Sequence, residues 1–209
     1  MGLYPELGFV NGYGVIYWGV GKIFTIGYAG IAFPRFVEVL RENEVLFLVD
    51  VRSVPRSKYF VGFNDANLGR ELPKVGVKYV NLGREFGARQ TDPKFFTDGV
   101  VDFEKYAQSE QFQNGMERVG EMLERGNVCL MCAEIDPLDC HRAHLCGRAF
   151  HDAGVDVVHI IARRNGEVKY EGYSDFEKRL LELYKKRTDD LQVAYREHNK
   201  KIGFKMAVI

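Results

Sequence analysis

The sequence predicts an α/β fold with a mostly parallel sheet and flanking helices, and two observations lead to this prediction. Continuous apolar runs, typical of strands buried on both faces of a sheet, occur at Val45–Val51, Asn127–Ala133 and Val155–Ile161. Helical patterns separate these runs, and this alternation favours parallel strands joined by crossover helices. The chain has 209 residues, 46% apolar and 28% charged, so it can bury a substantial core.

Proline, capping side chains and glycine stop signals set the bounds of the individual elements. Asn11-Gly12 predicts a tight turn between two short strands within Phe9–Trp18. The other predicted elements are strand Lys22–Tyr28, a helix from Pro34 to about Asn43, strand Val45–Val51, a helix Asp65–Leu72 capped by Asp65, strand Val77–Leu82, a loop from Gly83 to about Gly99, helices of about Val101–Gln108 and Glu110–Arg125, strand Asn127–Ala133, a helix of about Cys140–Ala153 capped by Asp139, and strand Val155–Ile161.

The chain after Ser174 has a charged helical pattern. It predicts one amphipathic helix that packs on the sheet or on a second subunit, because apolar residues share one face: Phe176, Leu180, Leu183, Leu191 and Ala194. Residues Arg163–Lys205 include 12 basic and 8 acidic residues, so contact of this tail with nucleic acid is an alternative. We therefore expect an N-terminal extension at 1–21, an α/β domain at 22–172 and a helical tail at 173–209.

Charge and cysteine content exclude several classes of protein. Basic and acidic residues number 29 each, which excludes a strongly basic surface over the whole chain. The four cysteines fall within 18 residues, whereas a disulfide scaffold spreads them along the chain. The N-terminus lacks a signal-peptide pattern, and the uncharged stretch Leu7–Gly21 is too short to span a bilayer. We expect a cytoplasmic protein with reduced thiols and no membrane partner.

The densest group of reactive side chains runs from the end of one predicted strand into the first turn of a helix. It contains Cys132, Glu134, Cys140, His141 and Arg142. Ligands of open α/β sheets bind beyond the carboxyl ends of the strands, and helix N-termini favour negative charge. Cys140 is therefore a candidate nucleophile with a lowered pKa, and Glu134, on the same strand face as Cys132, is a candidate base or orienting group.

Packing and metal binding are the rival interpretations of the cysteines. Cys129 and Cys146 lie among apolar residues and fit plain core packing. A metal site that uses every cysteine is disfavoured, because Cys129 and Cys132 are three apart on a strand and point to opposite faces. A smaller site of Cys132, Cys140 and His144 stays open, since the last two share a helical face. We assign no metal ligand and leave the cofactor unknown.

Two further loops follow predicted strands and are expected at the same edge of the sheet. The first offers cations and hydroxyl groups for a phosphate or carboxylate ligand: Arg52, Ser53, Arg56, Lys58 and Tyr59. Asp50, at the strand end, is a candidate to orient an arginine or to act as a base. The second, after Leu82-Gly83, adds Arg84 as a possible anion contact. Each loop can equally be solvated surface. We predict that the Arg52 and Cys140 loops converge, because parallel strands place their carboxyl ends on one side.

Four segments together resemble the family of domains of unknown function numbered 488 (DUF488): Thr25–Tyr28, Leu48–Ser57, Tyr79 with Leu82-Gly83, and Met131–Arg142. The resemblance covers about residues 22–162 and implies an α/β domain, but no particular reaction. The family pattern has two glycines after the leucine, where this chain has Gly83-Arg84. A looser similarity to rhodanese-type domains concerns the fold alone.

The favoured hypothesis is an enzyme that binds a small anionic or nucleotide-like substrate, as a cysteine-dependent transferase or hydrolase. Arg52, Arg56, Lys58 and Arg142 would hold the substrate, and the cysteines and His141 would lie nearest the chemistry. The alternatives are a nucleic-acid-associated accessory domain and a metal-binding structural or sensing module. A homo-oligomer through the C-terminal helix is a further possible assembly.

Overall fold

The computed structural model of the protein describes residues 9–11, 14–16 and 21–206. The described strands are, in chain order, β1 (Phe9–Asn11), β2 (Gly14–Ile16), β3 (Ile23–Gly27), β4 (Val45–Asp50), β5 (Lys78–Asn81), β6 (Phe96–Thr97), β7 (Val100–Val101), β8 (Asn127–Cys132), β9 (Val157–Ala162) and β10 (Val168–Gly172). The described α-helices are α1 (Phe33–Glu42), α2 (Asp65–Glu71), α3 (Gly83–Phe86), α4 (Phe103–Ala107), α5 (Glu110–Leu123), α6 (Arg148–Asp152), α7 (Tyr173–Tyr184) and α8 (Leu191–Ile202). A π-helical segment, Arg142–Gly147, runs directly into α6.

A six-stranded sheet in the order β10-β9-β3-β8-β4-β5 forms the centre of the protein. All neighbouring pairs are parallel except β9 with β10, so the predicted α/β fold with a mostly parallel sheet is confirmed. In register, Gly27 lies opposite Cys132 and Asp50 lies opposite Met131. The ends of β3, β4 and β8 therefore meet at one edge.

Helices cover both faces of the sheet. On one face, α1 and α2 bury Phe36, Leu40 and Leu68 in one core cluster. On the other face, α3 to α8 and the π-helical segment contribute to a larger cluster. Strand side chains alternate between the two clusters, so Cys129 packs in the first and Cys132 in the second. The prediction that these two cysteines point to opposite faces is confirmed.

The C-terminal region differs from its sequence-based prediction in two ways. An antiparallel edge strand, β10, precedes the tail, and only two of its five residues are partly buried, so it lacks a clear apolar pattern. The predicted single helix is in fact two helices, α7 and α8, which pack against each other. Phe176, Leu180 and Ala194 of the predicted apolar face lie in the larger core of the same chain, whereas Leu183 is 57% exposed.

Smaller differences concern loops and caps. The predicted loop after Gly83 contains α3 and the antiparallel pair β6–β7. Asp65 is the first residue of α2, and Asn64 is its N-cap. Strands β1 and β2 pair antiparallel, while residues 12 and 13 between them lie outside the described residues. Within the described ranges, no helix has the length and apolarity that crossing a bilayer requires.

Candidate active site

The loops after β4 and β8 meet at the carboxyl edge of the sheet. The backbone N–H of Val51 donates to Met131 O over 3.1 Å, and His141 Nε2 lies 3.0 Å from the carbonyl oxygen of Val51. The loop after β5 joins them, because Gly83 packs so closely that a Cβ atom there would lie 2.1 Å from Arg52 O. The predicted convergence of the Arg52 and Cys140 loops is confirmed.

Backbone contacts hold the turn between Cys132 and Cys140 in place. A Cβ atom at Gly27 would lie 1.6 Å from Glu134 O, so only glycine permits this approach of β3 to the turn. The Arg142 guanidinium donates from Nη1 to Glu134 O over 2.7 Å and from Nη2 to Ile135 O over 3.1 Å. These contacts fix the backbone on which Glu134 is carried.

An ion-pair network holds the second half of the turn. Asp136 accepts the backbone N–H of Leu138 over 2.9 Å and receives two 2.8 Å hydrogen bonds from Arg179 of α7. Arg179 also binds Glu171 of β10 through two 2.9 Å contacts. Burial alone would raise the pKa of Asp136, but the hydrogen bonds from Arg179 lower it below its usual range. The C-terminal region therefore stabilises the turn.

Cys140 occupies the cap position of the helix that follows it. Its backbone is extended (φ −137°, ψ 135°), its carbonyl accepts the N–H of Ala143 over 3.1 Å, and its Sγ lies 3.5 Å from the N–H of Arg142. These are the features of an N-cap residue, with sulfur in place of the usual oxygen. The predicted helix start at Cys140 with Asp139 as cap is corrected: Asp136 caps the preceding turn, which Asp139 ends, and the helical residues begin at His141, directly after Cys140.

One carboxyl oxygen joins the two cysteines at this edge. Glu134 Oε2 lies 3.0 Å from Cys132 Sγ and 3.0 Å from Cys140 Sγ. Both cysteines are free thiols and are only 4% and 1% exposed. Glu134 is an exposed residue, although its Oε2 atom is part of the buried contact.

His141 faces both sulfur atoms. Its Nδ1 lies 3.8 Å from Cys132 Sγ and 4.0 Å from Cys140 Sγ. A carbonyl oxygen is only an acceptor, so the contact with Val51 O requires that Nε2 carries a proton. Nδ1 is then the atom that accepts or returns a proton at the thiols. We call Cys132, Glu134, Cys140 and His141 the thiol centre.

Arg142 supplies a fixed positive charge beneath this centre. It is fully buried, and no carboxylate within the described part of the chain forms an ion pair with it. Burial alone would raise the pKa of the Cys140 thiol, but the hydrogen bond from Cys132, the charge of Arg142 and the contact with His141 lower it well below its usual range. The buried positive charge of Arg142 therefore favours the thiolate form of Cys140.

The pKa values of the other members of the thiol centre shift in the opposite direction. The hydrogen bond to Cys140 raises the pKa of Cys132, and burial and the charge of Glu134 raise it further. Burial and the charge of Cys140 raise the pKa of Glu134. Burial would lower the pKa of His141, but its interactions with Cys140 raise it overall. Within the thiol centre, only Cys140 therefore has a lowered pKa, while the pKa values of Cys132, Glu134 and His141 are raised.

Asp50 and Arg52 form an internal ion pair close to this centre. Arg52 donates from Nε to Asp50 Oδ1 over 2.8 Å and from Nη2 to Oδ2 over 2.6 Å, and Tyr79 donates to the same Oδ2 over 2.8 Å. Arg52 Nη2 also donates to Phe63 O, and its guanidinium lies 5.0 Å from the ring centroid of Tyr28. These groups hold the loop after β4, and Arg52 is engaged by other protein groups, as Arg142 is.

The remaining predicted binding residues lie toward solvent around the same edge. Ser53 Oγ accepts the N–H of Arg89 over 3.0 Å. The Arg56 side chain is 77% exposed and forms a 3.5 Å ion pair with Asp65. Lys58, Tyr59 and Arg84 are exposed, and the ammonium of Lys58 lies 4.9 Å from the Tyr59 ring centroid. These residues lie in the segments that follow β4 and β5.

Three donor atoms of the thiol centre are arranged so that a metal ion could use them. The ligand atoms of Cys132, Cys140 and His141 all lie within 4.8 Å of one another. His144, the histidine expected from helical spacing, is elsewhere: its Nε2 lies 3.0 Å from Leu138 O. Cys140 precedes the π-helical segment and its carbonyl accepts the N–H of His144 over 3.4 Å, but the His144 ring is held by Leu138 O and not by the sulfurs.

Sequence reasoning missed several residues that position the site. In the sequence, Tyr79 stands out only as part of a family motif, and its place on an alternating strand does not indicate a contact with Asp50. Arg179 lies in a helix rich in charge, where nothing distinguishes it from its neighbours. Gly27 ends a predicted strand, and a glycine at a strand end is the one available signal for close backbone approach.

The fold and the site together define an α/β protein with a buried cysteine–histidine centre at the carboxyl edge of a parallel sheet. The family model described as "Domain of unknown function DUF488" matches residues 32–149, more than half of the chain and the whole segment from Cys132 to Arg142. The chain belongs to this family. Searches of curated proteins and of solved structures gave no match.

Proposed function

We propose that the protein is a cysteine-dependent enzyme with Cys140 as its nucleophile. The observation that carries this proposal is the position of Cys140 Sγ, which receives the N–H of Arg142 at the helix start and faces Nδ1 of His141. A thiolate is the reactive form of cysteine, and a helix N-terminus, a buried cation and an imidazolium all favour it. Cys129 and Cys146, which are also buried, have raised pKa values because burial is not offset.

The residues divide the chemistry between them. Cys140 attacks an electrophilic atom of the substrate, and His141 returns a proton from Nδ1 to the leaving group. The contact of Nε2 with Val51 O keeps the ring in orientation during this transfer. Glu134, the exposed residue over the sulfurs, makes way for the substrate.

A small anionic or nucleotide-like substrate is the class we propose. Arg56, Lys58 and Arg84 are exposed at the rim of the site, and Arg142 adds buried positive charge beneath it. Arg52 and Arg142 are bound internally, so the rim residues are the ones free to meet a phosphate or carboxylate.

Alkylation of the native protein at several pH values tests the nucleophile. We expect iodoacetamide to label Cys140 faster than any other cysteine. The labelling rate should reach half of its maximum at a pH below about 8.5, the ordinary pKa of a thiol. Cys140→Ser should abolish the fast reaction, and Cys146→Ser, the matched control, should leave it unchanged. Labelling of Cys140 no faster than of Cys129 would contradict the proposal.

The preference for an anion is tested separately. Iodoacetate carries a charge that iodoacetamide lacks, so the ratio of their rates at Cys140 reports the local potential. We expect a ratio above that of a free thiol, decreasing with salt and on Arg84→Ala, while Lys178→Ala on the exposed surface of α7 leaves it unchanged. A ratio below that of a free thiol would refute the anionic substrate but not the nucleophile.

A metal-binding module is the second candidate, because Cys132, Cys140 and His141 bring three ligand atoms together. Two thiolates and an imidazole are the donor types that zinc prefers. Elemental analysis of the purified protein distinguishes the candidates. We expect less than stoichiometric zinc or iron, whereas full occupancy that is lost on Cys132→Ser would favour the metal module.

A further inference from the structure

Cys132 is not the attacking thiol in the proposed function, yet it lies within reach of Cys140. The two Sγ atoms belong to the group of ligand atoms within 4.8 Å of one another, and both contact Glu134 Oε2 at 3.0 Å. A disulfide has an S–S length of about 2.05 Å, so closure needs a shift of at most about 3 Å, the scale of side-chain rotation. Cys129 packs in the other core cluster, and Cys146 contacts Phe86 O at 4.0 Å.

The backbone between the two cysteines is held in a conformation that keeps them together. Arg142 binds the carbonyls of Glu134 and Ile135, and β3 packs on the same stretch through Gly27. The conformational cost of bringing the sulfurs together is therefore already met in the folded protein. This is a reason to assign the pair a joint chemical role rather than separate ones.

We propose that Cys132 is the resolving cysteine of Cys140, so that the pair cycles between dithiol and disulfide and the substrate is a small disulfide. The inference rests on the proposed function, since Cys140 is the thiol that attacks first. It adds the chemical class of the substrate and a role for Cys132 and Glu134.

The reaction balances in two steps. The Cys140 thiolate attacks one sulfur of a disulfide RS–SR′, the S–S bond breaks, and R′S⁻ leaves with the bonding pair. Cys132 then gives its proton to Glu134 and attacks Cys140 Sγ, forming the Cys132–Cys140 bond. The leaving RS⁻ takes the proton from Glu134 and departs as RSH. The two cysteines lose two electrons, and the substrate gains two.

The contacts set the order of the two thiols. Only Cys140 receives a backbone N–H, from Arg142, and it lies at the helix start. Cys132 lies at the end of β8, and its Sγ contacts Glu134 Oε2 at 3.0 Å, as Cys140 Sγ does. Once Cys140 has formed the mixed disulfide, Cys132 is the remaining thiol in contact with this carboxyl group. The raised pKa of Cys132 agrees with its being the second attacker, which needs a base, and Glu134 is positioned to be that base.

The test uses 5,5′-dithiobis(2-nitrobenzoate), a small anionic disulfide whose released thiolate is coloured. With the full-length reduced protein we expect a rapid release of about two equivalents and no retained adduct, because the second thiol displaces the first adduct. Cys132→Ser should release about one equivalent rapidly and retain the adduct on Cys140. In Cys140→Ser, the rate of thiolate release should be at least about tenfold lower. Cys146→Ser should behave like the unmodified chain.

Peptide mapping makes the test independent of whether the variants fold. Cleavage after Glu134 separates Cys132 from Cys140, so the oxidised unmodified chain should give these two peptides joined by a disulfide. If Cys140 reacts rapidly but keeps its adduct while Cys132 remains a free thiol, the resolving role is refuted and the proposed function stands. If Cys140 does not react rapidly at all, both are refuted.

Discussion

The thiol centre and a cluster of three histidines lie on the same side of the sheet, and both bury titratable groups. In the histidine cluster, Nε2 of His144 and Nε2 of His198 lie 3.0 and 2.7 Å from Leu138 O, and their rings stack with centroids 4.5 Å apart. His159 Nδ1 lies 2.8 Å from the hydroxyl of Thr25. These contacts are with neutral groups, whereas the thiol centre includes charged ones.

Burial has opposite consequences in the two regions. It lowers the pKa of His144 to about 3, and it lowers those of His159 and His198 as well, so these rings are neutral and act as packed polar residues. In the thiol centre, the hydrogen bond from Cys132, the charge of Arg142 and the contact with His141 outweigh burial, and the pKa of Cys140 lies well below its usual value. A buried group thus keeps its charge only where the fold supplies a fixed counter-charge.

The largest expected effect comes from removing that counter-charge. Arg142→Met should raise the pKa of Cys140 and lower its reactivity with iodoacetamide at pH 7 by about tenfold or more. The reason is that an increase of one pKa unit lowers the fraction of thiolate about tenfold. The carbonyls of Glu134 and Ile135 would lose their donors, at a cost of about 1–3 kcal/mol in unfolding free energy.

The control for this variant is Arg148→Met, which removes a mostly buried arginine that pairs with Glu104. It should destabilise the protein without shifting the pH dependence of Cys140 labelling. An unchanged Cys140 profile in Arg142→Met would show that the buried cation does not govern the thiolate.

The histidine cluster should make the protein less stable in mild acid. The pKa of His144 is about 3 in the folded protein and about 6.5 unfolded, so the unfolded chain binds more protons between these values. The contribution of neutral His144 to the unfolding free energy is fully present above about pH 6.5 and is lost as the pH falls toward 3. It amounts to as much as about 2 kcal/mol between pH 6.5 and 5.

His144→Phe separates this effect from other titrations. Phenylalanine does not titrate, and His198 still donates to Leu138 O, so the carbonyl keeps a partner. Denaturant unfolding at pH 5 and 7 should show a smaller pH dependence than in the unmodified chain, with Cys140 labelling unchanged. An equal pH dependence would contradict a neutral, buried His144.

Glu134→Gln tests the carboxylate that joins the two sulfurs. The first release of thiolate from the nitrobenzoate disulfide should stay rapid, and the second should slow by about tenfold, because an amide does not take the Cys132 proton. Asp139→Asn, an exposed acid in the same turn, should leave both phases unchanged. Equal slowing of both phases would contradict the assignment of Glu134 to the second step.

The smallest effect is expected at the ion pair beside the thiol centre. Tyr79→Phe removes the 2.8 Å hydrogen bond to Asp50 Oδ2 and should lower the unfolding free energy by about 1 kcal/mol. Labelling of Cys140 should not change, because Asp50 and Arg52 hold the loop and do not contact the sulfurs. Loss of reactivity in this variant would assign the ion pair a part in the chemistry.

The sequence by itself determined the parallel sheet, the edge at which its loops meet, and Cys140 as the candidate thiolate. The reason is local: apolar runs, helix patterns and capping residues record the periodicity of each element, and parallel strands place their ends together. The pattern failed at β10, whose side chains are only partly buried, and at the tail, where Lys185–Asp190 divides one amphipathic pattern into two helices.

Only the tertiary structure decided which charged groups are available. Arg52 and Arg142 look equally suited to hold a ligand in the sequence, but Asp50 engages one and the carbonyls of the 133–139 turn engage the other. His141 rather than His144 meets the sulfurs because Val51 O fixes the His141 ring, whereas Leu138 O holds the His144 ring. Partners distant in sequence make these choices, and local periodicity carries no record of them.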